Sequence, residues 1–578
     1  MTTSAQERLG KLSWNPGSYE QPVKAQLDEF KKAEFVKAVW QKDNKAWTSS
    51  DEEKWLGWLD IVEEQRAHLE TFKTLAEEVK KAGYTQALLL GMGGSSLSVE
   101  VLRLTFGHVS GAPDMVVLDS TVPAQVLTTR KKVDLAKTLV IVASKSGSTT
   151  EPNVFCQYFY DEMKKAVGDK AGANFVAITD PGSSMEKRAK ELNFGRTYHG
   201  VPSIGGRYSA LSHFGMIPAA VMGLPVDAII THAEEMARAC KPTVEVTDNP
   251  GLMLGTIVGV LAREGRDKLT MVTGPGFHSF GAWFEQLIAE STGKLGRGIV
   301  PVDAEPLEDP PVYGKDRLFV YVHLDKNEDA STQSKLAALE KAGHPVVRIS
   351  VPSVDHIGAE FFRWEFATAV AGHIIKINPF DQPNVQESKD FTKKFLAEYE
   401  EKGALPQADE LLFEGDGIKL FADKANKEKL SKAGAKDLSG WLNAHFAQLK
   451  DGDYFAQNVY IERNDAHAKV LQEVREALLK KKHDATTLGF GPRFLHSTGQ
   501  LHKGGANNGV FLQITSDDAQ DVQIPGDKYT FGVLKQAQAL GDFVALSNRD
   551  RRLLRAHLPA EVESGLKKLQ KAINDALA

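Results

Sequence analysis

The sequence predicts an α/β protein with doubly wound parallel sheets, and three observations carry that reading. Between residues 86 and about 230, short apolar runs of β-formers alternate with helix-compatible stretches. Such strands imply a parallel sheet covered on both faces. Two of these runs break directly into turns rich in glycine or hydroxyls, each followed by a helix start. A second strand and helix series then recurs between residues 252 and 351. Residues 1–84 are expected to form a helical N-terminal segment and 85–245 a first α/β domain. Residues 246–395 are expected to form a second α/β domain, and 396–578 a helical connection with a C-terminal α/β extension.

Taken in order, Glu20 to Trp40 and Glu52 to Ala82 carry apolar residues at helical intervals. The first series of strands is read at Gln86–Leu90, Met115–Asp119, Thr138–Ala143 and Phe175–Asp180. The second is read at Lys268–Gly274, Arg317–His323 and Pro345–Val351, with helices at Leu252 to Glu264 and Phe277 to Ser291. Residues 390–480 are charged and helical in character, interrupted by Gly415-Asp416-Gly417 and Asp451-Gly452-Asp453, and read as a solvated helical connection. Strand character returns at Val510–Thr515 and Gly541–Ser547.

Composition narrows the class. The chain has 578 residues, enough for two to four domains with substantial cores, and the apolar and charged fractions of a soluble globular protein. A formal net charge of −6 argues against a nucleic-acid footprint. The two cysteines, Cys156 and Cys240, offer neither a disulfide framework nor metal-ligand spacing. No run approaches 18 apolar residues, and Met1 to Trp14 lacks the apolar core of a secretory signal. A cytoplasmic protein without a membrane partner is expected.

The chemistry concentrates at the two turns. After Leu139–Ala143 come Ser144, Lys145, Ser146, Gly147, Ser148 and Thr149, and then a helix from Pro152 to Lys165. Backbone N–H groups at a helix start, together with several hydroxyls, can cradle a phosphate dianion. The Walker spacing of glycines and lysine is absent, which points to a small phosphorylated metabolite, most simply a phosphosugar. Leu88–Leu90 runs into Gly91-Met92-Gly93-Gly94-Ser95-Ser96. This spacing suits a small anion better than a dinucleotide pyrophosphate. In parallel sheets ligands bind at the carboxyl ends of strands, where both turns fall. Further along, Gly205-Gly206-Arg207 sets an arginine in a glycine-hinged loop, where a fixed guanidinium can support an anion or a developing oxyanion. Glu290 lies near the end of an otherwise apolar helix, and Lys389 follows Gln382 by two helical turns, on one face.

Together these segments resemble the glucose-6-phosphate isomerase family, built from two sugar-isomerase (SIS) domains. The matching stretches are Gly91–Leu97, Ser144–Glu151, Gly205–Ser209, Ala289–Lys294 and Phe380–Lys389, in the family's order. Phe361–Ala369 and Gly489–Gly505 are similar, more closely, to the isomerase half of bacterial transaldolase–isomerase fusions. No transaldolase barrel is evident.

The resemblance implies isomerisation of glucose 6-phosphate and fructose 6-phosphate through a cis-enediolate, with no metal or other cofactor. It implies that Gly94, Ser95, Ser144, Lys145 (through its backbone), Ser146 and Thr149 bind the 6-phosphate, and that Gln382 positions the substrate. Glu290 would be the general base, Arg207 would stabilise the enediolate, and Lys389 would assist ring opening. The family's ring-opening histidine is expected at His502, in Gly499-Gln500-Leu501-His502-Lys503-Gly504-Gly505, with His344 before Pro345 as the other candidate. A homodimer is expected from the resemblance, while the extra C-terminal region could replace part of such an interface. Two other readings stay open: a phosphosugar isomerase of other or dual specificity, such as mannose 6-phosphate, and a non-catalytic sugar-phosphate sensor.

Overall fold

A computed structural model of the chain describes residues 9–578. Residues 1–8, which belong to the expected helical segment and to the stretch read for a signal, lie outside the described residues. The N-terminal region is helical, as Glu20–Lys32, Phe35–Trp40, Ile61–Ala67 and Leu69–Lys81, but it also contributes one short strand, β1 (Leu12–Trp14).

The first sheet contains β2 (Gln86–Leu90), β3 (Asp114–Leu118), β4 (Thr138–Ala143), β5 (Phe175–Thr179) and β6 (Arg196–His199). Their order is β3-β2-β4-β5-β6, and every pairing is parallel. All six residues of β4 are buried, as helices on both faces require. The chain runs outward from β2 to β3 and then crosses back to β4. The switch point therefore lies between β2 and β4, and the two glycine and hydroxyl turns leave from its carboxyl end.

The second sheet contains β7 (Lys268–Thr273), β8 (Val300–Val302), β9 (Arg317–Leu324) and β10 (Val346–Val351), in the order β1-β10-β9-β7-β8. Only β1 runs antiparallel. Beneath both sheets lies one continuous apolar core, through which the helix Ile357–Ile374 passes with almost no exposed residue.

The C-terminal third departs most from expectation. It forms a six-stranded sheet in the order β11-β12-β16-β15-β13-β14. The strands are β11 (Glu410–Gly415), β12 (Ile418–Ala422), β13 (Tyr454–Tyr460), β14 (Ala485–Phe490), β15 (Gly509–Ser516) and β16 (Arg552–Leu558). The stretch 390–480 is thus not a solvated helical connection: it supplies three strands, and β13 is buried at every position. Gly415 pairs with Ile418 across Asp416-Gly417, both at positive φ, which is a tight hairpin turn rather than a helix interruption. Gly541–Ser547 belongs to the helix Phe531–Ser547, not to a strand. Its apolar residues are buried against several clusters at once. A short apolar run looks the same in a strand and in a helix covered on all sides. Among the described residues no helix is long and apolar enough to cross a membrane.

Candidate active site

A cavity of about 370 Å³ opens at the carboxyl end of the first sheet, under the second sheet's helix Phe280–Thr292 and the start of the helix Val385–Lys402. It collects Gly94, Ser95, Ser144, Lys145, Ser146, Thr149, Glu290, Gln382 and Lys389, which are all but two of the residues expected at the site. Of the remaining two, Arg207 lies directly behind the cavity and His502 does not reach it.

The anion end is built from backbone and hydroxyls. Residues 144–149 turn into the helix Thr150–Val167, whose capping residue Thr149 makes no side-chain cap bond. The first N–H groups of that helix and the Thr149 hydroxyl are therefore not used up locally. The Ser144 hydroxyl is buried and finds no partner among the described residues, while Ser146 and Ser148 share a bond of 2.9 Å. The Lys145 ammonium is turned aside, to Asp180 at 2.5 Å and the Val201 carbonyl at 3.0 Å. Only its backbone faces the turn.

Gly94 packs against residues 206–207. A β-carbon there would collide with the Gly206 carbonyl, so a side chain at 94 would push the arginine loop out of place. Arg207, 1 % exposed, is held on every side. Its Nε donates to Ser291 Oγ at 2.7 Å and Nη1 to Gln382 Oε1 at 2.9 Å. Its Nη2 donates to the carbonyls of Pro379 at 2.7 Å and Asp381 at 2.9 Å. The remaining face of Nη1 meets Glu290 Oε1 at 3.4 Å. A buried guanidinium satisfied this fully is fixed in place and keeps one side for negative charge.

Glu290 is buried, and its Oε2 accepts from Gln286 Nε2 at 3.0 Å. The same amide donates to the backbone carbonyl of His496 at 2.8 Å, tying the carboxylate to a C-terminal turn. Below lies Lys294, which donates to the Asn378 carbonyl at 2.6 Å and pairs with Asp381 at 2.7 Å. Burial, reinforced by the nearby Arg207 charge, pulls its ammonium down to about 7. Lys294 thereby braces the segment whose carbonyls hold Arg207.

Gln382 and Lys389 both line the cavity, though not as one helical face. Gln382 precedes the helix that starts at Val385, and the intervening residues form an irregular turn.

The histidine is where expectation and structure part. His502 is buried on the helix Gly499–Gly504, with its ring 5.1 Å from that of Phe511 and further enclosed by Tyr454 and Phe494. Burial, assisted by the charges of Lys503 and Arg551, holds it well below the usual imidazole range. His344 lies just before β10, edge-on to the rings of Tyr313 and Phe319, and does not border the cavity. The histidine that borders the cavity is His496, at the end of the 3₁₀ turn Arg493–His496 beyond β14. Its Nε2 lies 3.0 Å from Glu151 Oε1, which also accepts from Gln538 Nε2 at 2.7 Å. Burial pushes the Glu151 carboxyl up, but the charge and hydrogen bond of His496, with Lys389 beyond, outweigh this and hold it below the usual range. The signal is present in sequence: Glu151 and His496 both fall inside segments that match the family, while the glycine pattern is densest around His502.

Among the described residues, His232, Asp355 and His356 form a group whose candidate ligand atoms lie within 4.8 Å of one another. The two imidazoles are stacked face to face at 3.6 Å, and none of the three residues borders the cavity.

Two doubly wound sheets that share one cavity, with a hydroxyl-lined anion cradle facing a buried carboxylate–guanidinium pair, define an α/β protein of the sugar-isomerase type. A family model described as phosphoglucose isomerase matches residues 53–303. The glucose-6-phosphate isomerase of Rubrobacter xylanophilus is 30% identical over 378 residues, covering 57% of this chain and 86% of that protein. The glucose-6-phosphate isomerase of Methanocaldococcus jannaschii is 27% identical over 368 residues, covering 58% and 88%. The crystal structure of a hypothetical protein from Thermus thermophilus shares the fold, with a TM-score of 0.57 at 23% identity over 67% of this chain and all of that one. The chain belongs to the glucose-6-phosphate isomerase family.

Proposed function

We propose that the chain interconverts glucose 6-phosphate and fructose 6-phosphate by ring opening and proton transfer through a cis-enediolate. The observation that carries this is the buried Glu290–Arg207 pair, 3.4 Å apart, facing the hydroxyl cradle across one cavity. The 6-phosphate sits among Ser95, Ser144, Ser146, Thr149 and the adjoining backbone N–H groups. In the open chain, the Glu290 carboxylate removes the proton from C2 and the C–H electron pair becomes the C1–C2 double bond of the enediolate. Arg207 faces the developing oxygen charge. The hydroxyl proton passes from O2 to O1, and returning the carbon-bound proton to C1 takes up the double-bond electron pair while the O2 electron pair forms the ketose carbonyl. Gln382, hydrogen-bonded to Arg207, positions the sugar.

Ring opening in this reading belongs to His496, not His502. A carboxylate that accepts from Nε2 selects the tautomer and leaves Nδ1 for a substrate oxygen. Lys389 stands beside it. Glu151 and His496 come from the same chain as Glu290 and Arg207. The closer likeness to isomerase halves of transaldolase fusions belongs to this reading too, since Gly489–Gly505 carries His496.

The test is conversion of fructose 6-phosphate followed by a coupled dehydrogenase, comparing the wild type with Glu290→Gln. A loss of about 10³-fold in kcat with KM little changed is expected for removal of the base. A Glu290→Gln protein that turns over normally overturns the assignment of the base. Inactivity of the wild type on both hexose phosphates overturns the activity.

A further inference from the structure

A second and larger cavity, of about 500 Å³, lies on the far side of the Arg493–His496 turn. It sits at the carboxyl ends of β13 and β14, one strand out from the C-terminal sheet's switch point between β13 and β15, against the helix Asp465–Lys482. Nothing in the isomerisation uses it.

Its lining is a mixed polar set around one incompletely satisfied cation. Arg493 is 9 % exposed, and its Nη1 and Nη2 find no hydrogen-bond partner among the described residues. Its Nε lies 3.4 Å from Asp119 Oδ2. Leaving guanidinium N–H groups buried and unpaired is costly, and a ligand anion taken bidentately relieves that cost. Lys469, Asp465 and Arg463, the last paired with Glu100 at 2.7 Å, stand at the exposed rim. Opposite them are two carboxyls, Glu285 on the helix that also carries Glu290, and Asp303. Burial, with the nearby Asp303 charge added for Glu285, pushes Glu285 up to about 8 and Asp303 up to about 6. A protonated Glu285 can donate to a hydroxyl as well as accept from one. Leu97, Leu488 and Phe490 supply an apolar wall for a carbon skeleton.

We propose that this cavity is a second ligand site for a small anionic polyol, with its phosphate or carboxylate on Arg493 and its hydroxyls on Glu285 and Asp303. The occupant would sit one side chain away from the phosphate turn of the active site. Asp119, which faces Arg493, also accepts from Ser96 Oγ at 3.3 Å, next to Ser95. An anion that draws Arg493 off Asp119 therefore acts on the turn that holds the substrate phosphate.

Calorimetric titration of the full chain tests this without any turnover, so its outcome is independent of the isomerase reading. The probes are glycerol 3-phosphate and glycerate, with glycerol as the uncharged control. Ala468, half-buried on the cavity wall, is replaced in Ala468→Trp to fill the space without touching Arg493 or the isomerase site. With glycerol 3-phosphate the wild type is expected to show two sites. Ser146→Ala/Thr149→Val should lose the one at the phosphate turn. Ala468→Trp should lose the other and keep its isomerase rate, and Arg493→Met should weaken that site at least tenfold. Occupancy of the second site by glycerate as well as glycerol 3-phosphate supports the anion contact in either chemical form. No binding left in Ser146→Ala/Thr149→Val, undiminished binding in Ala468→Trp, or glycerol binding as tightly as the anions each overturns the proposal.

Discussion

His496 and His502 are six positions apart on one C-terminal segment, yet their surroundings are opposite. His496 ends a turn, keeps a carboxylate partner and borders the cavity. His502 is sealed among Tyr454, Phe494 and Phe511 on a helix whose polar neighbours all face structural partners. Gln500 accepts from the backbone N–H groups of Asn384 and Val385, at the start of the helix carrying Lys389, and donates to the Gly293 carbonyl just past Glu290. Arg551 clamps the carbonyls of His502, Lys503 and Gly505. The stretch that most resembles a catalytic histidine loop is therefore a latch that joins the two sides of the site. A histidine's chemistry depends on which groups the tertiary fold sets against it, and its sequence neighbours do not decide that.

The contrast can be broken by substitution. His496→Leu should lower kcat/KM on the cyclic sugar by about 10²- to 10³-fold, the usual worth of a general acid–base group. His502→Leu should leave kcat within a factor of about two. Steady-state assays on anomerically equilibrated substrate decide this, and equal losses in the two variants would erase the distinction. Glu151→Gln removes the charge that orients His496 while keeping its shape. A drop of about 10- to 100-fold is expected, smaller than for His496→Leu, and a variant as active as wild type would mean that His496 acts without its partner.

Stability should show the reverse ranking. His502→Ala leaves a hole among aromatic rings and should cost about 2–4 kcal/mol in denaturant unfolding, with turnover per folded molecule retained. His496→Ala, at the cavity edge, should cost less than about 1 kcal/mol. A His502→Ala protein as stable as wild type would show that the rings collapse around the gap.

The smallest effect is in pH. His502 is held neutral in the folded state, so the unfolded chain binds more protons below its ordinary pKa near 6.5. Its contribution is fully present above about pH 6.5 and is lost as pH falls below it, with a slope of at most about 1.4 kcal/mol per pH unit. His445, buried and brought down to about 3, acts in the same direction. Glu151, with its pKa lowered on folding, contributes above its ordinary carboxylate pKa and loses that contribution only as pH falls below it. Between about pH 6.5 and 5, His502→Leu should flatten the stability curve while Glu151→Gln leaves it unchanged. A curve of the same slope in His502→Leu would mean that His502 is already protonated in the fold.

Much of this protein is determined by local sequence. The apolar runs at β2 and β4, and the glycine and hydroxyl turns after them, specify strand, turn and helix start through short-range physics: β-branched side chains, the freedom of glycine and the open N–H groups of a helix N-terminus. The glycine hinge before Arg207 is legible for the same reason, whereas the burial of Glu290 is not: its place at a helix end reads as exposed. What sequence alone misread are places where the decisive partner lies far along the chain. Whether Gly541–Ser547 is strand or helix depends on what covers it. Whether β13 is a central strand depends on β14 and β15 arriving beside it from later in the chain. Glu151 and His496 meet across 345 residues, and no spacing rule encodes such a meeting. Local sequence determined the two strand–turn–helix units with their glycine- and hydroxyl-rich turns, while the roles read for Glu290 and Arg207 came from the family resemblance. Only the tertiary structure decided which histidine faces them, because that depends on how the C-terminal sheet docks on the other two.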